Sequence, residues 1–161
     1  MINYELILLI FVLGSLFGWI FEFIVRSIKK EKFVNPGYLK GFYLPIYGTG
    51  AVLIYIINLI EINFLVKLLL FGISTTLLEL ITGLILNQNG ISLWKYKKSN
   101  SITYKGIICV KCSIMWIFFA LIFTNFILPK LLLIELASFI YYISLIILSI
   151  IFIDFLNRIS K

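Results

Sequence analysis

The sequence predicts an all-α polytopic membrane protein, and three observations support this prediction. Hydrophobic residues make up 62% of the 161 residues, charged residues make up only 13%, and the mean hydropathy is +1.12. Soluble domains contain roughly 45–50% apolar and about 25% charged residues, so most of this surface must face an apolar solvent. Long apolar runs fill most of the chain, which leaves no room for a soluble catalytic or nucleotide-binding domain.

Five apolar runs predict five transmembrane helices in a single domain, residues 1–161. The first run carries Glu5 in place of a basic segment and has no cleavage site after it, so we expect a spanning helix rather than a signal peptide. The second run is the shortest and opens with Pro45 and glycines, and Pro129 with Lys130 divides the last two runs. The predicted spans cover approximately residues 2–28, 44–60, 65–86, 107–128 and 131–156, with inner loops at 29–43 and 87–106.

The distribution of lysine and arginine predicts the orientation. With the amino terminus outside and the carboxyl terminus in the cytoplasm, 12 of the 14 basic residues are inside and only Lys67 and Lys130 are outside. This agrees with the positive-inside rule. A re-entrant hairpin over residues 42–60 would place the second basic loop outside, so we prefer five full spans.

Composition also excludes several classes of function. The chain has no His, which removes the commonest metal ligand and the commonest general base. Its net charge of +7 lies in loops and not on a soluble face, so we expect no nucleic acid partner. Cys109 and Cys112 have the spacing of redox pairs, but without a βαβ context we expect reduced thiols. We therefore assign no metal, no cofactor and no catalytic residue.

Ionisable side chains inside the spans mark the candidate site, because a charge at the bilayer centre costs about 2.5–3.5 kcal/mol. Glu22 and Arg26 lie one turn apart near the inner end of the first span, where they can pair. Glu79 lies roughly 10 Å inside the inner edge of the third span, on a stripe of small and polar residues, and Lys111 begins the fourth span at a comparable depth. We predict that these four side chains share one polar layer in the cytoplasmic third of the bundle. The alternative is that the stripes only allow close helix packing.

Aromatic residues, lysines and glycines alternate in the two inner loops. One interpretation is an aromatic belt whose lysines attract anionic lipids of the inner leaflet. Asp154 and Arg158 on the last span repeat the spacing of Glu22 and Arg26, and they either pair or only anchor the helix end at the headgroups. The other is that Gly41 to Gly50 folds back over the polar layer, which is tolerated at membrane depth only where the backbone lines a cavity or is buried in protein. The candidate contact residues in these loops are Asn35, Gly41, Tyr43, Pro45, Tyr47, Trp94 and Tyr96.

A set of motifs over roughly residues 8 to 125 resembles a known family. The motifs are Gly18-Trp19-Ile20-Phe21-Glu22, Pro45-Ile46-Tyr47-Gly48, Leu78-Glu79 with Thr82, Trp94 with Tyr96, and Gly106 followed by Cys109, Ser113 and Trp116. In order and spacing they resemble the CmpB-type family of bacterial membrane proteins, labelled ABC transporter type IV. The resemblance implies a small multi-pass protein of the bacterial cytoplasmic membrane. Where the family shows Trp-Asp-Tyr-Ser, this chain has Lys95 and Lys97 on either side of Tyr96.

Three hypotheses for the function remain open. The first is a permease-like or accessory subunit of a transport system, with a homo-oligomer or a separate ATPase subunit as partner, because the chain lacks a Gly-x-x-x-x-Gly-Lys-Ser/Thr loop. The second is an intramembrane lipid-handling protein or enzyme that uses Glu79 or Glu22 as acid or base, although no nucleophile with an adjacent base supports it. The third is a membrane scaffold. In all three the lipid bilayer is a partner.

Overall fold

The computed structural model describes residues 3–97, 102–133 and 138–159, and these are mostly helical. Residues 98–101 of the second predicted inner loop and 134–137 of the fifth predicted span lie outside the described residues, as do 1, 2, 160 and 161. The elements are α1 (Tyr4–Lys30), α2 (Pro45–Asn58), α3 (Phe64–Gln88), β1 (Thr103–Tyr104), β2 (Ile108–Cys109), α4 (Val110–Ile122), a π-helical turn (Phe123–Ile127), α5 (Leu128–Leu133) and α6 (Ser138–Ile159).

Four helical stretches are long and apolar enough to cross a membrane, namely Tyr4–Lys30, Phe64–Gln88, Val110–Leu133 and Phe139–Arg158. Large apolar side chains cover their outer faces, and Phe17 is 65% exposed, Leu69 62% and Ile146 60%. Continuous apolar surface of this kind is stable in hydrocarbon and not in water, so the chain is a membrane protein. The prediction of an all-α membrane fold is therefore confirmed.

The second predicted span is shorter than expected. Helix α2 has 14 residues, whereas a transmembrane helix needs about 20. Leu44 at the start of the predicted span, and Leu59 and Ile60 at its end, are not helical. The number of five spans and the orientation remain predictions.

The chain forms two compact units. Unit 1 comprises Met1–Val52 and Leu132–Lys161, and within it α1 packs against α6. A buried apolar cluster joins the segment after α1 to α6, and it consists of Leu39, Tyr43 and Ile151. Unit 1 is therefore built from both ends of the sequence.

Unit 2 comprises Leu53–Leu131, and within it α3 packs against α4. Its core contains the buried residues Ile54, Phe71 and Ala120. The antiparallel strands β1 and β2 precede α4, with Thr103 paired to Cys109 and Tyr104 to Ile108. This short hairpin lies between the end of α3 and the start of α4 in the chain.

The structure differs from the boundary predicted at Pro129 and Lys130, because helix continues through both residues to Leu133. A π-helical turn, Phe123–Ile127, comes just before them, and the N–H of Leu128 donates to the carbonyl of Phe123. The wider π-helical turn relieves the clash of a proline ring with the carbonyl one turn earlier. Proline alone is thus a poor marker of a helix end in this chain.

Candidate functional site

The segment between α1 and α2, residues 31–44, folds back along the carboxyl-terminal half of α1. We call it the turned-back segment. The N–H of Val34 donates to Ser27 Oγ at 3.3 Å, and the N–H of Leu44 donates to the Ser15 carbonyl at 2.9 Å. From Ser27 to Ser15 the helix axis advances about 18 Å, at about 1.5 Å per residue. Non-helical backbone therefore reaches the middle of α1, and α2 starts there, at Pro45.

Asn35 fixes the turn of this segment. Its Oδ1 accepts hydrogen bonds from Trp19 Nε1 at 3.0 Å and from the N–H of Gly37 at 3.1 Å. Its Nδ2 donates to the carbonyl of Leu39 at 3.3 Å. One amide thus joins α1 to both sides of the turn, as Asx turns do.

Glu22 is the centre of a polar cluster in unit 1. Arg26 Nε donates to Glu22 Oε2 at 2.7 Å, and the Tyr47 hydroxyl donates to Glu22 Oε1 at 2.8 Å. Arg26 also donates to the carbonyl of Pro36 at 3.2 Å. The side chains of Glu22 and Arg26 are each 23% exposed. The predicted pairing on one helix face is therefore present, and α2 and the turned-back segment both contribute to it.

Glycines allow α1 and α2 to approach closely enough for Tyr47 to reach Glu22. A Cβ added at Gly18 would overlap the root of the Tyr47 ring, and one added at Gly48 would overlap Ser15 Oγ and the Phe11 carbonyl oxygen. Gly18 and Gly48 thus serve a close contact between the two helices.

Asp154 on α6 holds the same segment from the other side. Its Oδ2 accepts hydrogen bonds from the N–H of Lys40 at 2.8 Å, the N–H of Gly41 at 3.1 Å and the Tyr43 hydroxyl at 2.7 Å. Burial, and then the hydrogen bond to Asp154, raises the pKa of Tyr43, so its hydroxyl remains a donor. We call Asp154 with these three donors the Asp154 clasp. The sequence predicts either a pair with Arg158 or a helix-end anchor at this position, and not a contact with the segment after α1.

Arg158, one turn after Asp154, contacts Tyr38. Its guanidinium carbon lies 5.3 Å from the centroid of the Tyr38 ring, a cation–π contact, and the Tyr38 hydroxyl donates to the Arg158 carbonyl at 3.0 Å. The end of α6 is thereby joined to the turned-back segment a second time.

Glu79 in unit 2 accepts a hydrogen bond from a tyrosine hydroxyl, as Glu22 does in unit 1. Glu79 is only 5% exposed, and the Tyr96 hydroxyl donates to its Oε1 at 2.6 Å. The N–H of Tyr96 donates to the Gly106 carbonyl at 2.9 Å, and Trp94 Nε1 donates to the Ile107 carbonyl at 2.8 Å. The segment after α3 therefore also folds back on its helix and places a tyrosine on a buried glutamate.

Lys111 lies at about the same level as Glu79 along the helices, but on the surface of unit 2. The Thr76 hydroxyl donates to Ser113 Oγ at 2.8 Å, which sets the register of α3 against α4 and places Lys111 about level with Glu79. The Lys111 side chain is exposed. Glu22 and Arg26 belong to unit 1 and Glu79 and Lys111 to unit 2, so the shared polar layer remains a prediction.

Tyr96→Phe is expected to lower the free energy of unfolding by about 2 kcal/mol, because a buried carboxylate loses a hydroxyl donor. Thermal unfolding in detergent measures the change. The matched control is Tyr104→Phe, because Tyr104 on the nearby strand β1 is 54% exposed. Equal losses in both variants would contradict a specific role for the contact with Glu79.

Cys109 and Cys112 form a disulfide in the structure, which differs from the reduced thiols expected from the sequence. Their Cα atoms are 5.2 Å apart, within the range that a disulfide requires. Cys109 is also the N-cap of α4, and its sulfur accepts a hydrogen bond from the N–H of Cys112 at 3.1 Å. The first turn of α4 brings the two sulfurs together.

Thiol labelling tests this disulfide. In membranes prepared with a thiol-blocking reagent, we expect a maleimide polymer to label Cys109 and Cys112 only after treatment with dithiothreitol. Labelling without reductant, to the same extent as in denatured and reduced protein, would show that the cysteines are thiols. Cys112→Ser serves as the control, since its remaining thiol should be labelled without reductant.

No group of three His, Cys, Asp or Glu side chains that could hold a metal ion occurs among residues 3–97, 102–133 and 138–159. The carboxylates of Glu22, Glu79 and Asp154 instead accept hydrogen bonds from tyrosine hydroxyls. Each of these carboxylates therefore positions a loop or helix of its own unit.

Comparison with known proteins identifies the family. The model of the family ABC_trans_CmpB, described as "Putative ABC-transporter type IV", matches residues 9–159. No curated protein and no solved structure matches the chain. The matched range extends beyond the motifs near residues 8 to 125 and includes α6 with Asp154. The chain therefore belongs to this family, ABC_trans_CmpB.

Proposed function

We propose that the chain is a permease-like or accessory subunit of a transport system in the bacterial cytoplasmic membrane. Its polar site would be the cluster around Glu22 and Arg26, in the cytoplasmic third of the first span. The amino terminus would be outside and the carboxyl terminus inside. A separate ATPase subunit would supply the energy, since the chain has no phosphate-binding loop of its own.

The main support is the path of the turned-back segment, which carries non-helical backbone to the level of Ser15. Such backbone at membrane depth is stable only where it is buried in protein or lines a cavity. Transporters commonly place interrupted helices of this kind at their substrate sites. Helix α2 is short and follows this non-helical backbone directly at Pro45, as the half-helices of such transporters follow an unwound segment.

The polar cluster gives further support. Intramembrane ionisable residues are costly, and each is therefore a candidate for a place on an ion or substrate path. The pair of Glu22 and Arg26 on α1 is linked to two other parts of unit 1. Tyr47 on α2 donates to Glu22, and Arg26 donates to the Pro36 carbonyl. A movement of α2 against α1 would have to break or exchange the hydrogen bond between Tyr47 and Glu22.

Purification of the tagged protein from its own membranes in a mild detergent tests the proposal. Native mass spectrometry should show the chain at fixed stoichiometry with a separate nucleotide-binding chain, and the assembly should hydrolyse ATP. A single chain or a homo-oligomer that holds one lipid and lacks ATPase activity would overturn the proposal and favour the lipid-handling alternative.

A pair of matched variants connects the assembly to the site. Glu22→Gln keeps the shape of the side chain and removes its charge, so we expect the assembly to form but its ATP hydrolysis to fall. Glu5→Gln makes the same change on the same helix at an exposed position and should leave hydrolysis unchanged. Equal activity in both variants would argue for a scaffold whose polar residues only assemble helices.

A reporter fused to the carboxyl terminus tests the orientation. A fluorescent protein matures in the cytoplasm and alkaline phosphatase is active outside, so we expect fluorescence without phosphatase activity. The reverse result would contradict the predicted orientation.

A further inference from the structure

A cavity in unit 2 is lined by positively charged side chains. It has a volume of about 810 Å³ and lies between the segment after α3 and the turn that joins β1 to β2. The polar side chains that line it are Lys95, Lys97, Lys105, Tyr96, Tyr104 and Thr103. We call it the lysine cavity.

Tyr96 determines where two of these lysines lie. Its hydroxyl donates to Glu79 and its N–H donates to the Gly106 carbonyl, so the ring is held against unit 2. Side chains alternate along an extended segment, and Lys95 and Lys97 on either side are accordingly exposed. A Cβ built on Gly106 would lie 3.4 Å from Lys95 Cγ, so the Lys95 side chain passes beside the turn.

Lys105 occupies a backbone conformation that disfavours a lysine. Its φ is 52° and that of Gly106 is 70°, and the N–H of Ile107 donates to the Tyr104 carbonyl at 3.0 Å to close the turn. Glycine, asparagine and aspartate are the usual residues at such positions. The Lys105 ammonium lies 5.5 Å from the centroid of the Tyr104 ring, at the cavity. A charged residue kept in a strained turn is more easily explained by binding than by stability.

The sequence supplies no counter-charge in this region. Between Glu79 and Glu135 the chain has no aspartate or glutamate, and Glu79 itself accepts the Tyr96 hydroxyl. The positive charges of the three lysines that line this cavity repel each other. An anion bound among them would remove that repulsion.

We infer that the lysine cavity binds a phosphate group, carried by a lipid headgroup or by a soluble phosphate compound. Several lysines around one point suit an anion whose charge is spread over several oxygens. Trp94, Tyr96 and Tyr104 are residue types that favour the headgroup level of a membrane, where lipid phosphates lie. The inference does not depend on the proposed role in transport.

Lipid titration tests the first source. The purified protein in detergent is titrated with phosphatidylglycerol and, separately, with phosphatidylcholine, and bound lipid is counted by native mass spectrometry. We expect one firmly bound phosphatidylglycerol. In the double variant Lys95→Met with Lys97→Met, the affinity of the protein for phosphatidylglycerol should fall about thirtyfold. This figure follows from the usual binding free energy that a lysine contributes near an anionic surface.

Titration with inorganic pyrophosphate at constant ionic strength tests the second source, by calorimetry on the same proteins. Binding of either probe that depends on Lys95 and Lys97 supports the inference and identifies the source. The matched control is Lys29→Met with Lys30→Met, which removes two exposed lysines from the end of α1. An equal loss in this control, or no binding of either probe by the natural chain, would overturn the inference.

Lys105→Gly separates binding from stability. Glycine adopts a positive φ without strain, so the thermal midpoint should rise or stay the same while affinity for the bound probe falls about fivefold, on the same basis of one lysine. A stable variant with unchanged affinity would show that Lys105 takes no part in the site and would contradict the reading of its strained turn.

Discussion

Replacing Asp154 by Ala is expected to lower the free energy of unfolding of unit 1 by about 3 kcal/mol, because its donors lose their acceptor together. The Tyr43 hydroxyl and the N–H of Gly41 are both partly buried, and water does not readily replace a single oxygen that accepts from both. The N–H of Lys40 is exposed and contributes less. Thermal or denaturant unfolding in detergent measures the loss.

Three further measurements make this prediction specific. Asp154→Asn keeps an oxygen acceptor and should lose about half as much stability as Asp154→Ala. Asn157→Ala, at an exposed position on the same helix, should stay within about 0.5 kcal/mol of the natural chain. Hydrogen exchange should show the amides of Lys40 and Gly41 losing protection in Asp154→Ala. If those amides stay protected, the clasp does not hold the segment.

Gly48→Ala is expected to lower the free energy of unfolding by about 3 kcal/mol, because overpacking against backbone cannot be relieved by a change of rotamer. The added methyl would overlap the Phe11 carbonyl oxygen as well as Ser15 Oγ, so α1 and α2 would have to separate. Alanine is the better helix former, so intrinsic propensity predicts the opposite sign. The thermal midpoint in detergent distinguishes the two.

Matched variants identify the cause of that loss. Gly72→Ala should cost less than about 1 kcal/mol, since its Cβ would approach only the end of the flexible Ile117 side chain, at 2.9 Å. Ser15→Ala combined with Gly48→Ala should recover part of the stability, because one of the two overlaps disappears. Strictly additive losses in the double variant would mean that Ser15 and Gly48 do not touch.

The features that could be predicted are those that depend on local residue spacing or on composition. The high apolar content predicts the membrane fold, and a separation of four residues places Glu22 beside Arg26 on one helix face. The polar stripe around Glu79 predicts burial of that carboxylate. Each of these inferences requires only a helix and its periodicity.

The features that could not be predicted depend on partners far apart in the chain. Asp154 accepts a hydrogen bond from the N–H of Gly41, which lies 113 residues away. A sequence does not show which backbone N–H groups donate to a distant side chain. Helix continues through Pro129 because the π-helical turn before it changes the hydrogen-bond pattern, and no residue type specifies such a turn. For the lysine cavity a signal was present, in the long stretch without acidic residues, but only the fold brings Lys95 beside Lys105.

The Asp154 clasp also determines when unit 1 can be completed during synthesis. The segment that it holds leaves the ribosome early, whereas Asp154 lies in the last helix, so the segment must wait for nearly the whole chain. Helix α2 is too short to insert stably by itself, and until α6 arrives the polar backbone before Pro45 lacks one of its two supports. A chain truncated before α6 should therefore be a substrate for membrane proteases, and unit 1 should be the last part of the protein to reach its native form.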